Sequence, residues 1–227
     1  MADVNAKERH PPADHREPEA REKKPDAGQP GTTRLESFSD NVMSIIITVM
    51  VLTIQIPANA MDHGFVDGLV RPFGPRLGAY AFSFVMVGIF WVNHHQLLPT
   101  APKSTPALIW WNNNALFWVS LTPIVTQYVG VRPMQAVPVA MYAAVQVAVS
   151  VSFVLLRHHI AGQRRDHRAM VGHYKRILLR SSLAGAANLA AIGLAFVSVW
   201  AAFVALIIGP VLFFMPPLLP RGAVVDG

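Results

Sequence analysis

The sequence predicts an all-α, polytopic membrane protein with six transmembrane helices in each chain. Of its 227 residues, 52% are hydrophobic and only 14% are charged, whereas about a quarter of the residues of a soluble domain carry a charge. No acidic residue occurs between Asp67 and Asp166. Long uncharged stretches suit the hydrocarbon of a bilayer, so a soluble single domain is excluded. The lack of cysteine also excludes a disulfide scaffold and a cysteine-based zinc site.

The first 33 residues are predicted to form a disordered polar tail. They contain five prolines, six Lys or Arg and seven Asp or Glu, and such a segment buries too little apolar surface to offset the entropy of ordering. No apolar segment follows Met1 closely, so we expect no cleavable signal peptide. The net charge of +6 also suggests nucleic-acid binding. However, the basic residues flank apolar runs instead of alternating with aromatic residues, so no nucleic-acid partner is expected.

Four apolar runs follow the tail, each long enough to cross about 30 Å of hydrocarbon. They lie at about 34–56, 77–98, 107–129 and 137–156, and Pro57 and Pro99 end the first two. Pro123 lies inside the third run and predicts a kink there.

The last apolar stretch, residues 181–219, is too long for a single span. Its 39 residues would extend about 58 Å as one helix. We therefore predict two spans joined near Val197–Val199, although neither Gly nor Pro marks a turn. The result is a six-helix membrane domain over residues 34–220 with a short C-terminal tail at 221–227.

The positions of Lys and Arg predict the orientation of these spans. With alternating sides, 16 of the 19 basic residues fall on the side of the N-terminal tail. The other side receives Arg71, Arg76 and Arg132. Because positively charged loops stay inside, both termini are expected in the cytoplasm.

The first span carries the only acidic residues inside or at the edge of a predicted span, Glu36 and Asp40. Such groups are costly at membrane depth, which indicates a functional or network role. Helical spacing places one stripe along this span: Phe38, Asn41, Ile45, Thr48, Leu52 and Ile56. Asp40 lies about 140° from Ile45 on the helical wheel, so we expect it to face neighbouring helices.

Polar partners for Asp40 occur at the facing ends of the second and third spans. The second ends with Trp91, His94 and His95, and the third begins with two Trp and then three Asn, residues 112–114. At least one Asn must find a polar partner within the membrane. His94 and His95 point about 100° apart, so hydrogen bonding to Asp40 or to an Asn is favoured over a metal or haem site. No catalytic motif is present, so an enzyme is not expected.

The order of these residues resembles the transmembrane protein 175 family. Its hallmark matches Arg34-x-x-x-Phe38-Ser39-Asp40, followed by Trp91-x-x-His94, then Asn112 and Pro123. The resemblance covers roughly residues 33–220. The chain departs from the family pattern at three positions. The pattern has an aromatic residue in place of Met43, a small apolar residue in place of Ser44 and an aromatic residue near Leu98.

The resemblance implies a potassium-permeable cation channel in a bacterial cell membrane. A chain with one six-span repeat is implied to form a homotetramer whose first helices line a central pore, with K⁺ as the permeant ion and no cofactor. The implied constriction is apolar and consists of Ile45, Thr48 and Leu52. The implied structural polar network consists of Arg34, Phe38, Ser39, Asp40, Trp91, His94 and Asn112.

The residues also allow two other functions. One is a proton-coupled or other secondary transporter that uses Asp40 and His94 as a relay. The other is a membrane scaffold that transports nothing. The sequence shows no inverted repeat and no pair of broken helices, which would favour the transporter.

Overall fold

The computed structural model describes residues 30–52, 54, 55, 66, 70–163 and 171–214, and this part of the chain contains helices but no strands. The predicted all-α class is therefore confirmed. The α-helices of these residues, in chain order, are α1 (Pro30–Leu52), α2 (Arg71–Leu97), α3 (Pro106–Ser120), α4 (Thr122–Val131), α5 (Ala136–Gly162), α6 (Val171–Val197) and α7 (Val199–Phe214). A short 3₁₀ helix, Leu98–Thr100, continues α2.

Several of these helices are long and apolar enough to cross a membrane, which makes the chain a multi-pass membrane protein. Among the described residues there are four such segments: Thr32–Leu52, Phe73–Thr100, Ala136–Gly162 and Leu179–Val197. The third predicted span is divided between α3 and α4, and the sixth corresponds to the shorter apolar helix α7. The count of six spans stays a prediction.

The helix ends differ from the predicted spans by a few residues. Helix α1 begins at Pro30, four residues before the predicted start, because proline suits the first position of a helix. Helix α2 begins at Arg71 with Pro72 in its first turn, where a missing backbone N–H costs little, and Pro75 lies inside the helix. Apart from residues 30–33, which form the first turn of α1, the two predicted tails lie outside the described residues.

The third predicted span breaks at Leu121, two residues before Pro123. Proline at this position cannot donate a backbone hydrogen bond to the preceding turn, so the helix bends there. Helix α3 starts at a polar cap, because the Thr105 hydroxyl accepts a hydrogen bond of 3.2 Å from the Leu108 N–H. Two short helices thus replace one continuous span.

The last three helices form antiparallel pairs. A Cβ added at Gly185 would lie 3.8 Å from the Cβ of Ser150, and one at Gly209 would lie 3.8 Å from the Cβ of Ala184. These contacts join α5 to α6 and α6 to α7. Small buried residues line the second pairing: Ala191, Ala195, Ala202 and Ala205. Small side chains allow two helices to approach closely in a membrane.

A compact apolar cluster marks one end of the bundle. It contains Leu35 of α1, Leu97 at the end of α2, Leu108 of α3 and Leu156 of α5. The start of α1, the end of α2, the start of α3 and the end of α5 therefore lie at the same end of the bundle. Arg34 and Arg157 belong to these segments, and Lys103 lies in the connection just before α3.

Candidate functional site

Helix α1 presents two different faces along its length. Its buried side contacts the rest of the chain through Leu35, Ser39, Met43, Ile46 and Met50. These residues recur every three or four positions, as one side of a helix requires. They pack against α2, α3 and α4. The opposite side of α1 is therefore left without cover from its own chain.

That uncovered side carries the three residues predicted to form a constriction. Ile45 is 60% exposed and Leu52 is 75% exposed, and Thr48 between them is also exposed. The Thr48 hydroxyl donates to the Ile45 carbonyl at 2.9 Å. Its proton is therefore turned towards the helix, and the oxygen lone pairs are left to face outwards. Along this face of α1, the polar hydroxyl of Thr48 therefore lies between the apolar side chains of Ile45 and Leu52.

Three buried polar side chains connect α1, α2 and α3. His94 Nε2 donates to Asn112 Oδ1 at 2.7 Å, and Asn112 Nδ2 donates to Ser39 Oγ at 2.9 Å. Ser39 Oγ then donates to the Leu35 carbonyl at 2.8 Å. Ser39, His94 and Asn112 are almost fully buried. Each donor meets one acceptor, so this chain of hydrogen bonds fixes both the rotation and the depth of α1 against α2 and α3.

Asp40 belongs to a second, more exposed group between α1 and α2. Trp91 Nε1 donates to Asp40 Oδ1 at 3.0 Å, and His95 Nδ1 lies 4.0 Å from Asp40 Oδ2. The rings of Trp91 and His95 stack with their centroids 5.5 Å apart. Glu36 precedes Asp40 by one helical turn, and these two are the only acidic residues in the described part of the chain. The start of α1 is therefore its negatively charged end.

The predicted polar network is thus divided in two. The structure brings Ser39, His94 and Asn112 together, and it pairs Asp40 with Trp91. Asp40 shows no hydrogen bond to His94 or Asn112, contrary to the expectation that it would be held by them. Arg34 and Phe38 lie on the exposed side of α1 and join neither group within the chain. The network is divided because consecutive residues of a helix point about 100° apart, so Ser39 and Asp40 face different neighbours.

A further polar cluster joins α2, α4 and α5, and the sequence did not predict it. Thr126 Oγ1 lies 2.7 Å from Ser83 Oγ, which in turn lies 3.1 Å from the hydroxyl of Tyr142. All three side chains are buried. They are far apart in the sequence, at residues 83, 126 and 142, so their contact could not be predicted before the helices were paired. A separate contact, Asn114 Nδ2 to Ser152 Oγ at 2.8 Å, joins α3 to α5.

The described residues contain no group of three or more His, Asp or Glu that is arranged to hold a metal ion. The site instead provides a helix, α1, whose one side is held by buried hydrogen bonds and whose other side leaves an apolar face uncovered.

Comparisons with known proteins agree on one family. The family described as Endosomal/lysosomal potassium channel TMEM175 matches residues 34–123. A potassium channel of Chryseobacterium sp. (strain P1-3) is 40% identical over 127 residues, which are 56% of this chain and 64% of that relative. A potassium channel of Chamaesiphon minutus (strain ATCC 27169 / PCC 6605) is 30% identical over 183 residues, covering 76% of this chain and 88% of the relative.

A solved structure shares the fold as well. The crystal structure of a lysosomal potassium-selective channel TMEM175 homolog from Chamaesiphon minutus superposes with a TM-score of 0.72 and 28% sequence identity. The match covers 82% of this chain and 97% of that one.

Proposed function

This chain belongs to the TMEM175 family, and from that premise we propose that it is a potassium-permeable channel whose first helices surround a central pore. One observation carries the proposal within the chain itself. The face of α1 that bears Ile45, Thr48 and Leu52 is left uncovered, while the opposite face is locked into the bundle by buried hydrogen bonds. A helix that is apolar on all sides and faces only lipid would not need hydrogen bonds that fix its rotation.

Four copies of the chain around one axis would bring this face together as a ring. Ile45 and Leu52 are seven residues apart, so their rings would lie about two turns from each other along the pore. The Thr48 hydroxyls would lie between them. Three layers of side chains would then form a narrow, mostly apolar neck.

An apolar neck closes by losing its water and needs no moving lid. When it widens, a cation that has shed part of its hydration shell passes. Potassium holds its water less tightly than sodium, so partial dehydration favours potassium. The outward lone pairs of Thr48 would replace some of the lost water. Without a fixed cage of carbonyl oxygens, selectivity is modest.

The polar residues around the neck fix the position of α1 and do not touch the ion inside the neck. Ser39 and Asn112 hold the helix against α3, and Trp91 holds Asp40 from α2. The start of α1, with Glu36 and Asp40, lies at the membrane face that carries Arg34, Lys103 and Arg157. By the positive-inside rule this face is cytoplasmic, with both termini on that side of a bacterial cell membrane. Within that face, the carboxylate of Asp40 favours cations at the mouth of the pore.

The proposal is tested with the purified protein in liposomes. Potassium efflux is measured from loaded liposomes, and the oligomeric mass of the same preparation is determined by native mass spectrometry. Potassium flux above that of empty liposomes, together with a mass of four chains, supports the proposal. A protein that is monomeric and passes no potassium contradicts it. Flux that saturates and depends on a proton gradient identifies a transporter instead.

The neck is tested by replacing Ile45 with asparagine. An amide at this position hydrates the narrowest part, so potassium flux should rise and discrimination against sodium should fall. Leu189→Asn, at an exposed position of α6, serves as the matched control because it adds the same amide away from α1. Ile45→Asn with flux and selectivity like the wild type would show that Ile45 is not part of the gate.

A further inference from the structure

The turn between α6 and α7 is an apolar tip that contains no charged residue. The sequence from Ser181 to Leu219 has no Asp, Glu, Lys or Arg. At the tip, Phe196 is 65% exposed, Val197 is 85% exposed and Trp200 is 68% exposed. No part of the described chain covers these side chains. Large apolar groups exposed at a helix turn indicate an apolar surrounding.

The turn itself consists of a single residue, Ser198, which ends one helix and starts the next. Its N–H donates to the Leu194 carbonyl at 2.7 Å, and its carbonyl accepts from the Ala202 N–H at 3.1 Å. Its hydroxyl accepts from the Ala201 N–H at 3.4 Å. Most of the polar groups of Ser198 are thus satisfied inside the protein. Backbone that lies at membrane depth must be satisfied in this way.

The uncharged part of α6 is also too short to carry the tip across the hydrocarbon. From Arg180, the last charged residue of α6, to Val197 is about 26 Å. The hydrocarbon of a bilayer is about 30 Å thick. If Arg180 remains at one membrane face, the tip ends just below the opposite one.

The neighbouring turn at the same membrane face has a different composition. The connection between α4 and α5 contains Arg132, Pro133 and Gln135 beside an exposed Met134. This is the composition of a turn in water. Gly130 next to it contacts Arg76, so the starts of α2 and α5 lie together at that face. The α6–α7 tip, with no polar residue except Ser198, stands apart from this polar rim.

We propose that the α6–α7 tip is a lipid-contacting surface that lies among the acyl chains of the leaflet opposite to Arg180. The surface is covered by phospholipid acyl chains. The tip has no charged group that could bind water or a charged partner, and the helix that carries it does not reach across the bilayer. Trp200 fits the boundary between acyl chains and headgroups, where its ring is in hydrocarbon and its N–H reaches an ester oxygen.

The absence of cysteine from the natural sequence makes the test direct. Val197→Cys and Met134→Cys are made singly, each at an exposed position, and gel filtration verifies that both variants assemble like the wild type. Each protein is placed in lipid nanodiscs, which leave both membrane faces open, and the labelling rate with a charged thiol reagent is measured. The measurement is repeated in lipids with short and with long acyl chains.

In long-chain lipid, Val197→Cys should react at least about tenfold more slowly than Met134→Cys, because a charged reagent enters hydrocarbon at high cost. In short-chain lipid the Val197→Cys rate should increase while that of Met134→Cys is unchanged. Equal rates for both variants would place the tip in water and overturn the proposal. A slow rate that does not depend on acyl length would overturn it in favour of cover by another protein chain.

Discussion

Asn112 is the residue through which hydrogen bonds join the first three helices. Its amide accepts from His94 of α2 and donates to Ser39 of α1, so it uses both of its polar atoms across helix boundaries. Its neighbour Asn113 is half-buried and shows no side-chain hydrogen bond. Three consecutive asparagines point in directions 100° apart, and only pairing of the helices decides which one faces inwards. The residues alone therefore predicted that one of these asparagines has a polar partner, but the helical geometry that determines which one became clear only in the structure.

Replacement of Asn112 by alanine should destabilise the protein strongly. His94 and Ser39 would each lose a partner inside the bundle, and a buried polar group left unsatisfied costs about 1–3 kcal/mol. We expect the melting temperature of the detergent-solubilised protein, followed by gel filtration after heating, to fall by several degrees.

Asn113→Ala is the matched control for this change, because it removes the same amide one position away. It should melt close to the wild type. If the two variants melt alike, the hydrogen bonds of Asn112 contribute nothing to the stability of the bundle.

At the scale of the elements, breaks in the helices were predicted unequally well. Pro123 predicted a kink in the third span, and α3 does end at Ser120, three residues before it. The joint near Val197–Val199 was predicted from length alone, and the structure has it at Ser198. The signal for that turn is the hydroxyl of Ser198, which caps α7. A serine among apolar residues is too common to mark a turn by itself.

The contact between α2 and α4 depends on the lack of a side chain at Gly130. A Cβ at this position would lie 3.0 Å from the Cα of Arg76, which is backbone and cannot turn away. Gly130→Ala should therefore separate the two helices and lower stability by about 1–3 kcal/mol, the usual cost of overpacking. The melting temperature measures the effect.

Gly88→Ala on α2 is the matched control, and it should not lower the stability of the protein. A Cβ there would meet nothing within 4 Å, and alanine favours a helix over glycine by about 1 kcal/mol. The control should melt at or above the wild-type temperature. A Gly130→Ala protein that is as stable as the Gly88→Ala protein would show that the two helices are not in tight contact.

At the scale of the whole molecule, the fold class followed from features that need no tertiary structure. Apolar runs of span length and uneven charge predict helices across a membrane whatever their packing. The assembly of several chains cannot be predicted in the same way, because the surface that would form a pore is a face of α1 that a single chain leaves exposed. The helical spacing of α1 predicted which residues share that face, but the pore would be completed by other copies of the chain.

A single cysteine in place of Thr48 tests that assembly, since the natural sequence contains no other thiol. If four α1 helices surround the permeation path, silver ions, which resemble potassium in charge and size, should reach the thiol, bind it and block potassium flux through liposomes. The wild type should be insensitive. Leu189→Cys, at an exposed position of α6, should also keep its flux in silver, because its thiol lies away from the path. Flux through Thr48→Cys that survives silver treatment would place Thr48, and with it the uncovered face of α1, outside the route of the ion.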